Sequence, residues 1–300
     1  MPNLQPSTFK PSNPQIFKLG LIGYPLSHSK SPELHKGFLS KCGLKGEYTL
    51  YPIPPDDKDA LKALIDRVRD GEIDGLNVTI PHKQNVISLL DELSDTAQTI
   101  GAVNTIVLRD GKLIGENTDA PGFWKDVQNL KPDRFSPLET GGMLTQKPVR
   151  SALILGSGGA ARAVVYALLN AGWQVTLATR EADILQAETL IKDFTSQNSK
   201  FATQLTNTEL KATTLSSLTS TLSLIVNTTP VGMKSLIQGS PYPQNLPFPP
   251  NAVLYDLIYN PPKTQLMQDA EKAGLKVRGG IGMLKAQAEL SFEIWTGCKL

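Results

Sequence analysis

VRSALILGSGGAARAVVYALLNAGWQVTLATR, residues 149–180, decides the fold. An apolar run, SALIL, leads straight into GSGGAA (156–161), then an apolar-periodic stretch, then a second apolar run, QVTLATR. That order predicts strand, glycine turn, helix, strand, and the turn fits G-x-G-x-x-[G/A]. Gly156 lets the chain turn sharply after the strand. Gly158 lets the backbone approach a pyrophosphate, and Ala161 keeps the helix close to the sheet. The helix N-terminus offers free N–H groups and a partial positive charge to phosphates. Placed between a strand and a helix, the motif predicts a Rossmann-type dinucleotide-binding unit.

The end of the second strand predicts which dinucleotide. An NAD site usually has a carboxylate there for the ribose 2′-OH, whereas this strand ends in Thr179 and Arg180. A guanidinium suits the 2′-phosphate of NADP through charge-assisted paired bonds. Glu181 follows directly and weakens that preference.

Working outward, the N-terminal half alternates strands and helices. FKLGLIGYPL (17–26), YTLYPI (48–53) and GLNVTI (75–80) read as strands. SKSPELHKGFLSKCG (29–43) reads as a helix with Ser31 as N-cap, Pro32 at its first position and Gly43 as its stop. DDKDALKALIDRVRDG (56–71) and KQNVISLLDEL (83–93) also read as helices, and GAVNTIVLRDGKLIGENTD (101–119) as a hairpin turning at Asp110–Gly111. Beyond the glycine unit, LSLIVNTT (222–229) and AVLYDLIY (252–259) read as strands. PYPQNLPFPPN (241–251) reads as an extended surface loop, and MLKAQAELSFEIWTG (283–297) as a closing helix. Residues 136–150, rich in Gly and Pro, read as a linker or long loop. The pattern predicts an α/β protein of two domains, one a substrate domain with a mostly parallel sheet and an antiparallel edge.

Composition excludes several classes. The 300 residues suffice for two domains, and 40% hydrophobic content fits a globular chain. A net charge of +2 is too small to argue for nucleic acid or a membrane surface. No apolar run approaches a membrane span. MPNLQPSTFKPSNPQ (1–15) lacks the apolar core of a signal peptide and reads as a floppy tail. The two cysteines, Cys42 and Cys298, form no CxxC pair, which suggests packing residues in a reduced, cytoplasmic compartment. The three histidines, His28, His35 and His82, lack metal-ligand spacing, so no metal is expected.

Polar clusters gather at predicted strand ends, where open α/β sheets bind ligands. They are Ser27 and Ser29; Asn77, Thr79 and Lys83; Asn104 and Thr105; and Asn117, Thr118 and Asp119. Hydroxyls and amides suit a small polyhydroxylated molecule, and a lysine with a carboxylate can move a proton. Singly, each has an ordinary use in capping or turning the backbone. Within NVTIPHK (77–83), Asn77 and Thr79 share a strand face, and Lys83 rather than His82 is the expected proton carrier.

PLSHSKSP, NVTIPHK, GAVNT, NTD, GSGGAA, NTTPVGM (227–233), YDLIYNPPKT (255–264) and GGIGMLKAQA (279–288), in this order, resemble the shikimate dehydrogenase family over nearly all of residues 17–300. The resemblance implies reversible reduction of 3-dehydroshikimate to shikimate with NADPH, in the pathway to chorismate and the aromatic amino acids. It implies Lys83 and Asp119 as the acid/base pair. Ser27 and Ser29 would hold the substrate carboxylate. Asn77, Thr79, Asn104, Asp119 and Gln287 would hold ring hydroxyls, and Tyr259 would line the substrate side. Gly156, Ser157, Gly158, Gly159, Ala160, Thr179, Arg180, Thr228, Leu257 and Gly280 would line the cofactor site, with Asp95 near its nicotinamide end. The implied domains are a tail at 1–16, a substrate-binding domain at 17–120 completed by helices at 281–300, and an NADP-binding domain at 121–280. A monomer or homodimer is implied. The family often has Asn-Arg-Thr after the second cofactor strand and a further basic residue. Here Thr179-Arg180-Glu181 and Ile184 stand instead, leaving one guanidinium. A quinate/shikimate dehydrogenase using NAD or NADP, and a non-catalytic dinucleotide-binding regulator, are the alternatives.

Overall fold

The computed structural model describes residues 16–130, 150–196, 210–214, 222–234 and 237–300. The expected N-terminal tail and most of the 136–150 linker lie outside them. Two six-stranded sheets carry the fold.

The first sheet has strand order β2-β1-β3-β5-β6-β4. Its strands are β1 (Ile16–Gly23), β2 (Lys45–Pro52), β3 (Gly75–Val78), β4 (Glu92–Leu93), β5 (Thr105–Arg109) and β6 (Lys112–Glu116). β1 runs parallel to β2 and β3, whereas β5 runs antiparallel to both β3 and β6. The antiparallel strand therefore sits inside the sheet rather than at its edge, because the β5–β6 hairpin is inserted beside β3. That hairpin turns through Asp110 and Gly111, both with positive φ.

Helices α1 (Ser31–Lys41), α2 (Lys58–Arg69) and α3 (Asp95–Ile100) belong to this half. Asp57 caps α2 by accepting from the Ala60 amide at 3.0 Å. The spacing of Leu61, Leu64, Ile65 and Val68 puts all four in the core, each contributing roughly 1.5–3 kcal/mol of apolar burial. The expected helix at 83–93 is not formed. A single 3-10 turn at Ile87–Leu89 leads into β4 instead. The cause is competition from β6: the Asp91 amide donates to the Leu113 carbonyl at 3.0 Å and the Ser94 amide to Gly115 at 2.9 Å. Once those groups are paired with a strand, helical bonds cannot use them.

The second sheet is parallel throughout, in the order β12-β11-β10-β7-β8-β9. Its strands are β7 (Ser151–Leu155), β8 (Gln174–Thr179), β9 (Leu210–Thr214), β10 (Leu224–Asn227), β11 (Val253–Asp256) and β12 (Lys276–Gly279). The order reverses between β7 and β10, the crevice where a doubly wound sheet binds dinucleotides. Helix α5 (Gly159–Asn170) follows the glycine turn, and α6 (Ile184–Ser196) follows β8. Helix α7 (Gln265–Lys272) is capped by the Thr264 hydroxyl, which accepts from Met267 N at 3.2 Å. The proline-rich stretch is less exposed than expected. Tyr242 stacks on Phe248 at 4.4 Å and is buried against the β11–α7 side of the core.

Two helices join the halves. α4 (Asp119–Gln128) leaves β6, and α8 (Ile281–Thr296) leaves β12 and packs along α4 and α1. Trp295 of α8 donates from Nε1 to the Ile106 carbonyl of β5 at 3.0 Å. The buried Asp126 of α4 accepts from Tyr255 Oη of β11 at 2.6 Å and from Arg278 of β12 at 2.5 Å.

The cysteines are paired, contrary to expectation. Cys42, just past α1, forms a disulfide with Cys298, just past α8, with Cα atoms 6.4 Å apart. Their sequence separation of 256 hid the pairing. The packing of α1 against α8 brings them together.

Candidate active site

A cleft opens where the C-terminal strand ends of the two sheets face each other. Its walls include Ser29, Ser31, Thr79, Lys83, Asn104 and Asp119 from one half, and Ala160, Thr228, Leu257 and Tyr259 from the other, with Gly280 and Gln287 at α8.

Lys83 and Asp119 meet inside it. Lys83 donates from Nζ to Asp119 Oδ2 at 2.5 Å, with side chains only 13% and 7% exposed. Asp119 is the first residue of α4, but it does not cap that helix. The Asn117 side chain does so, accepting from the Ala120 amide at 3.2 Å, which leaves the Asp119 carboxylate to the lysine. Lys83 sits in a turn after the cis Ile80–Pro81 bond. Buried His82 anchors that turn, with Nε2 2.7 Å from the Ile53 carbonyl. A carbonyl can only accept, so Nε2 carries the proton.

Asn104 and Gln287 form one polar wall. Asn104 donates from Nδ2 to Thr118 Oγ1 at 2.8 Å and to Gln287 Oε1 at 3.2 Å, and its Oδ1 accepts from the Thr118 amide at 2.7 Å. Gln287 donates onward to the Leu284 carbonyl at 2.9 Å.

Asn77 lies one layer behind the cleft surface. Its Oδ1 accepts from Tyr48 Oη at 2.8 Å, and its Nδ2 donates to Ser291 Oγ at 2.9 Å. β3 ends at Val78, so Thr79 lines the cleft while Asn77 belongs to this buried network. Tyr48 and Ser291 were not singled out from the sequence. A tyrosine on a strand and a serine on a helix carry no motif, and only the fold brings them to Asn77.

The serines that line this end of the cleft are Ser29 and Ser31 rather than the expected Ser27 and Ser29. Ser27 is exposed and outside the cleft lining, whereas Ser29 and Ser31 line it. Ser31 was expected to cap α1. Instead Lys30 occupies the cap position without a side-chain bond, and Ser31 begins the helix with its side chain buried. The Ser31 amide donates to Ser29 Oγ at 3.2 Å, which sets the two hydroxyls side by side. Burial pushes the hydroxyl pKa of Tyr48 up, with Ser31 pulling it down. Burial likewise raises Tyr259, against the Lys30 amide and the Ser29 hydroxyl. A neutral phenol, Tyr259, and two serines thus line this end of the cleft, with the neutral phenol of Tyr48 outside the lining.

The glycine turn faces the same space. Gly156 has φ +104°, and a Cβ there would meet Thr228 Oγ1 and Thr229 Cγ2 at 2.9 Å. A Cβ on Gly158 would point into open space, and one on Gly159 would stand 3.1 Å from Lys83 Cβ. Gly158 caps α5 without a side-chain bond, so the first amides of α5 are free for a ligand. Ser157 Oγ donates to Gln186 Oε1 at 3.0 Å, and Thr228 Oγ1 to the Leu155 carbonyl at 2.6 Å. Thr179 ends β8 with a buried Oγ1 that has no hydrogen-bond partner among the described residues. Arg180 follows, exposed and paired with Asp183. An open cradle, free helix amides, an orphaned hydroxyl and a guanidinium fit a phosphorylated dinucleotide. A Cβ on Gly280 would collide with the Leu257 carbonyl, so glycine there permits the close approach of α8 to the β11 loop.

A buried carboxylate sets the shape of that loop. Asp256 accepts from Thr264 Oγ1 at 2.6 Å, Asn227 Nδ2 at 2.9 Å and the Ile258 amide at 3.0 Å. Asp95 is placed elsewhere: it begins α3, exposed, and does not line the cleft. Its side chain completes an ordinary acidic first turn. Among the described residues no group of three His, Cys, Asp or Glu side chains is placed to hold a metal.

The family model "Shikimate dehydrogenase substrate binding domain" matches residues 21–106. The chain is 37% identical to a shikimate dehydrogenase (NADP(+)) of Shouchella clausii, covering 94% of each. It is 39% identical to one of Dehalococcoides mccartyi, over 93% of this chain and 90% of the relative. A crystal structure of shikimate 5-dehydrogenase from Thermus thermophilus, in complex with NADP(H) and shikimate, is 34% identical. It superposes with a TM-score of 0.75, covering 95% of both chains. With identity of this degree over nearly its whole length, the chain belongs to the shikimate dehydrogenase family.

Proposed function

We propose that the chain is an NADP-dependent shikimate dehydrogenase in which Lys83 and Asp119 form the acid/base pair. The observation that carries this reading is the 2.5 Å Lys83–Asp119 contact inside a cleft walled on its other side by the glycine turn. NADPH supplies the hydride. As the C3 carbonyl of 3-dehydroshikimate becomes an alkoxide, the Lys83 ammonium stabilises the new charge and donates a proton to the oxygen. Asp119 holds that ammonium in place. In the reverse direction the neutral amine takes the proton from the shikimate hydroxyl.

The ring is held by Thr79, Asn104 and Gln287, with Asn77 steering Asn104 and Ser291 from behind. Ser29 and Ser31 bind the ring carboxylate, as hydroxyl donors in a site that no arginine lines among the described residues. Tyr259 closes the substrate side. Gly156, Ser157, Gly158, Gly159 and Ala160 cradle the pyrophosphate, and Thr228, Leu257 and Gly280 line the rest of the cofactor groove. Thr179 and Arg180 take the adenosine ribose and its 2′-phosphate.

Sheet membership supports residues 17–120 with 281–300 as the substrate-binding domain, and 121–280 as the cofactor domain. Every group in this mechanism comes from one chain, so a monomer or a homodimer can carry it. A cytoplasmic location goes with a cosubstrate that must be regenerated, although the paired cysteines lend it no support. No nucleic acid or membrane surface enters the reading.

Steady-state assays of shikimate and quinate against NADP and NAD test it. Shikimate with NADP is expected to give the highest kcat/KM of the four. Binding of NADPH without shikimate-dependent absorbance change at 340 nm would instead mark a non-catalytic regulator.

A further inference from the structure

We propose that Asp183 sets the cofactor preference of this chain by competing with the 2′-phosphate for Arg180. This rests on the reading of Arg180 as the 2′-phosphate contact. Arg180 leaves β8 at the place where the adenosine ribose would end, and a 3-10 turn follows at Glu181–Asp183. That turn brings Asp183 back under the guanidinium. Its Oδ2 accepts from Arg180 Nε at 2.8 Å and lies 2.7 Å from Nη2. Two adjacent N–H groups of the fork are therefore engaged by one carboxylate oxygen. They are the edge a phosphate would use for paired bonds.

Charge along the 180–188 segment does not relieve this competition. From Arg180 to Glu188 the chain carries one cation, Arg180, against Glu181, Asp183 and Glu188. The next basic residue is Lys192. A phosphate arriving at Arg180 must both displace the Asp183 carboxylate and sit near it. A cofactor without the phosphate pays neither cost. Asp183 therefore narrows the gap between the phosphorylated and unphosphorylated cofactors. The Arg180 side chain is 77% exposed, so water screens the pair and the effect is moderate.

The test measures the 2′-phosphate directly, by calorimetric titration of adenosine 2′,5′-bisphosphate and of 5′-AMP, together with kcat/KM for NADP and NAD. Asp183→Asn is expected to tighten the bisphosphate roughly five-fold and to raise NADP efficiency similarly, with 5′-AMP and NAD moving less than two-fold. In an Arg180→Ala background the same change is expected to alter the discrimination by less than about two-fold, because only the screened repulsion between Asp183 and the phosphate is then relieved. An Asp183→Asn variant whose bisphosphate affinity is unchanged or weaker, while Arg180→Ala still selectively weakens the bisphosphate, overturns the role of Asp183 alone. If Arg180→Ala weakens both probes alike, the assignment of Arg180 falls, and this inference with it.

Discussion

The Lys83 ammonium stands 2.5 Å from the Asp119 carboxylate across 36 residues of chain, and each partner is placed by its neighbour. His82 fixes the turn that presents the lysine, through the Ile53 carbonyl. Asn117 takes over the capping of α4 and so frees the aspartate. Neither supporting residue touches the cleft surface.

Replacing Lys83 removes the proton donor and the charge that stabilises the alkoxide. Lys83→Ala is expected to lower kcat by about 10²–10⁴-fold, with a much smaller change in the KM for shikimate. Stopped-flow or steady-state rates at 340 nm measure this, and circular dichroism checks the fold. Near-normal turnover would remove Lys83 from the mechanism.

The serines separate cleanly. Ser29→Ala/Ser31→Ala is expected to raise the KM for shikimate about ten-fold or more, since each charge-assisted hydrogen bond to a carboxylate contributes about 1.5–3 kcal/mol. Ser27→Ala is expected to leave KM within two-fold, because that side chain is exposed and outside the cleft. The opposite pattern would restore the assignment made from the sequence.

That shift by one serine shows where sequence reading stops. The glycine turn and the alternation of elements were legible from local pattern, and the Lys83–Asp119 pairing from the family resemblance. PLSHSKSP holds three serines, and no periodicity says which two face inward; the start of α1 at Ser31 decides it. The missing helix at 83–93 had the right apolar spacing, but β6 took its backbone groups. Asn77 looked like a surface contact because alternation places it beside Thr79. Tyr48, distant in sequence, binds it from behind. Cys42 and Cys298 looked unrelated because only the α1–α8 packing makes them neighbours. Local pattern fixes elements, whereas these four facts depend on which elements touch.

His35 predicts a pH dependence. It is fully buried, stacked on Tyr48 with ring centroids 4.3 Å apart, and burial pushes its pKa down to about 3, against a smaller opposite pull from Asn77. Between that value and the ordinary 6.5 the unfolded chain binds a proton and the folded one does not. Stability is therefore full above pH 6.5 and falls with acidification toward pH 3. The contribution of this one residue approaches about 1.4 kcal/mol per pH unit within the window. Urea unfolding from pH 7 to pH 5 is expected to show the slope in the wild type and a reduced slope in His35→Gln. Equal slopes in the two proteins would place the titration elsewhere.

The disulfide makes a prediction about reducing conditions. It joins the C-terminal ends of α1 and α8, which carry Ser31 at one end of the cleft and Gln287 at another. Closing a loop of 256 residues restricts the unfolded chain, a constraint typically contributing about 2–4 kcal/mol. Oxidised protein is expected to unfold roughly 5 °C or more above protein held in dithiothreitol. A Cys42→Ser/Cys298→Ser variant is expected to match the reduced form and to ignore the reductant. Because the bond lies at the far ends of both helices, kcat at 25 °C is expected to change less than two-fold on reduction. Thiol counting under denaturing conditions, without reductant, checks the pairing itself: the isolated oxidised protein should give no free thiol, and two reactive thiols would show that the bond does not form.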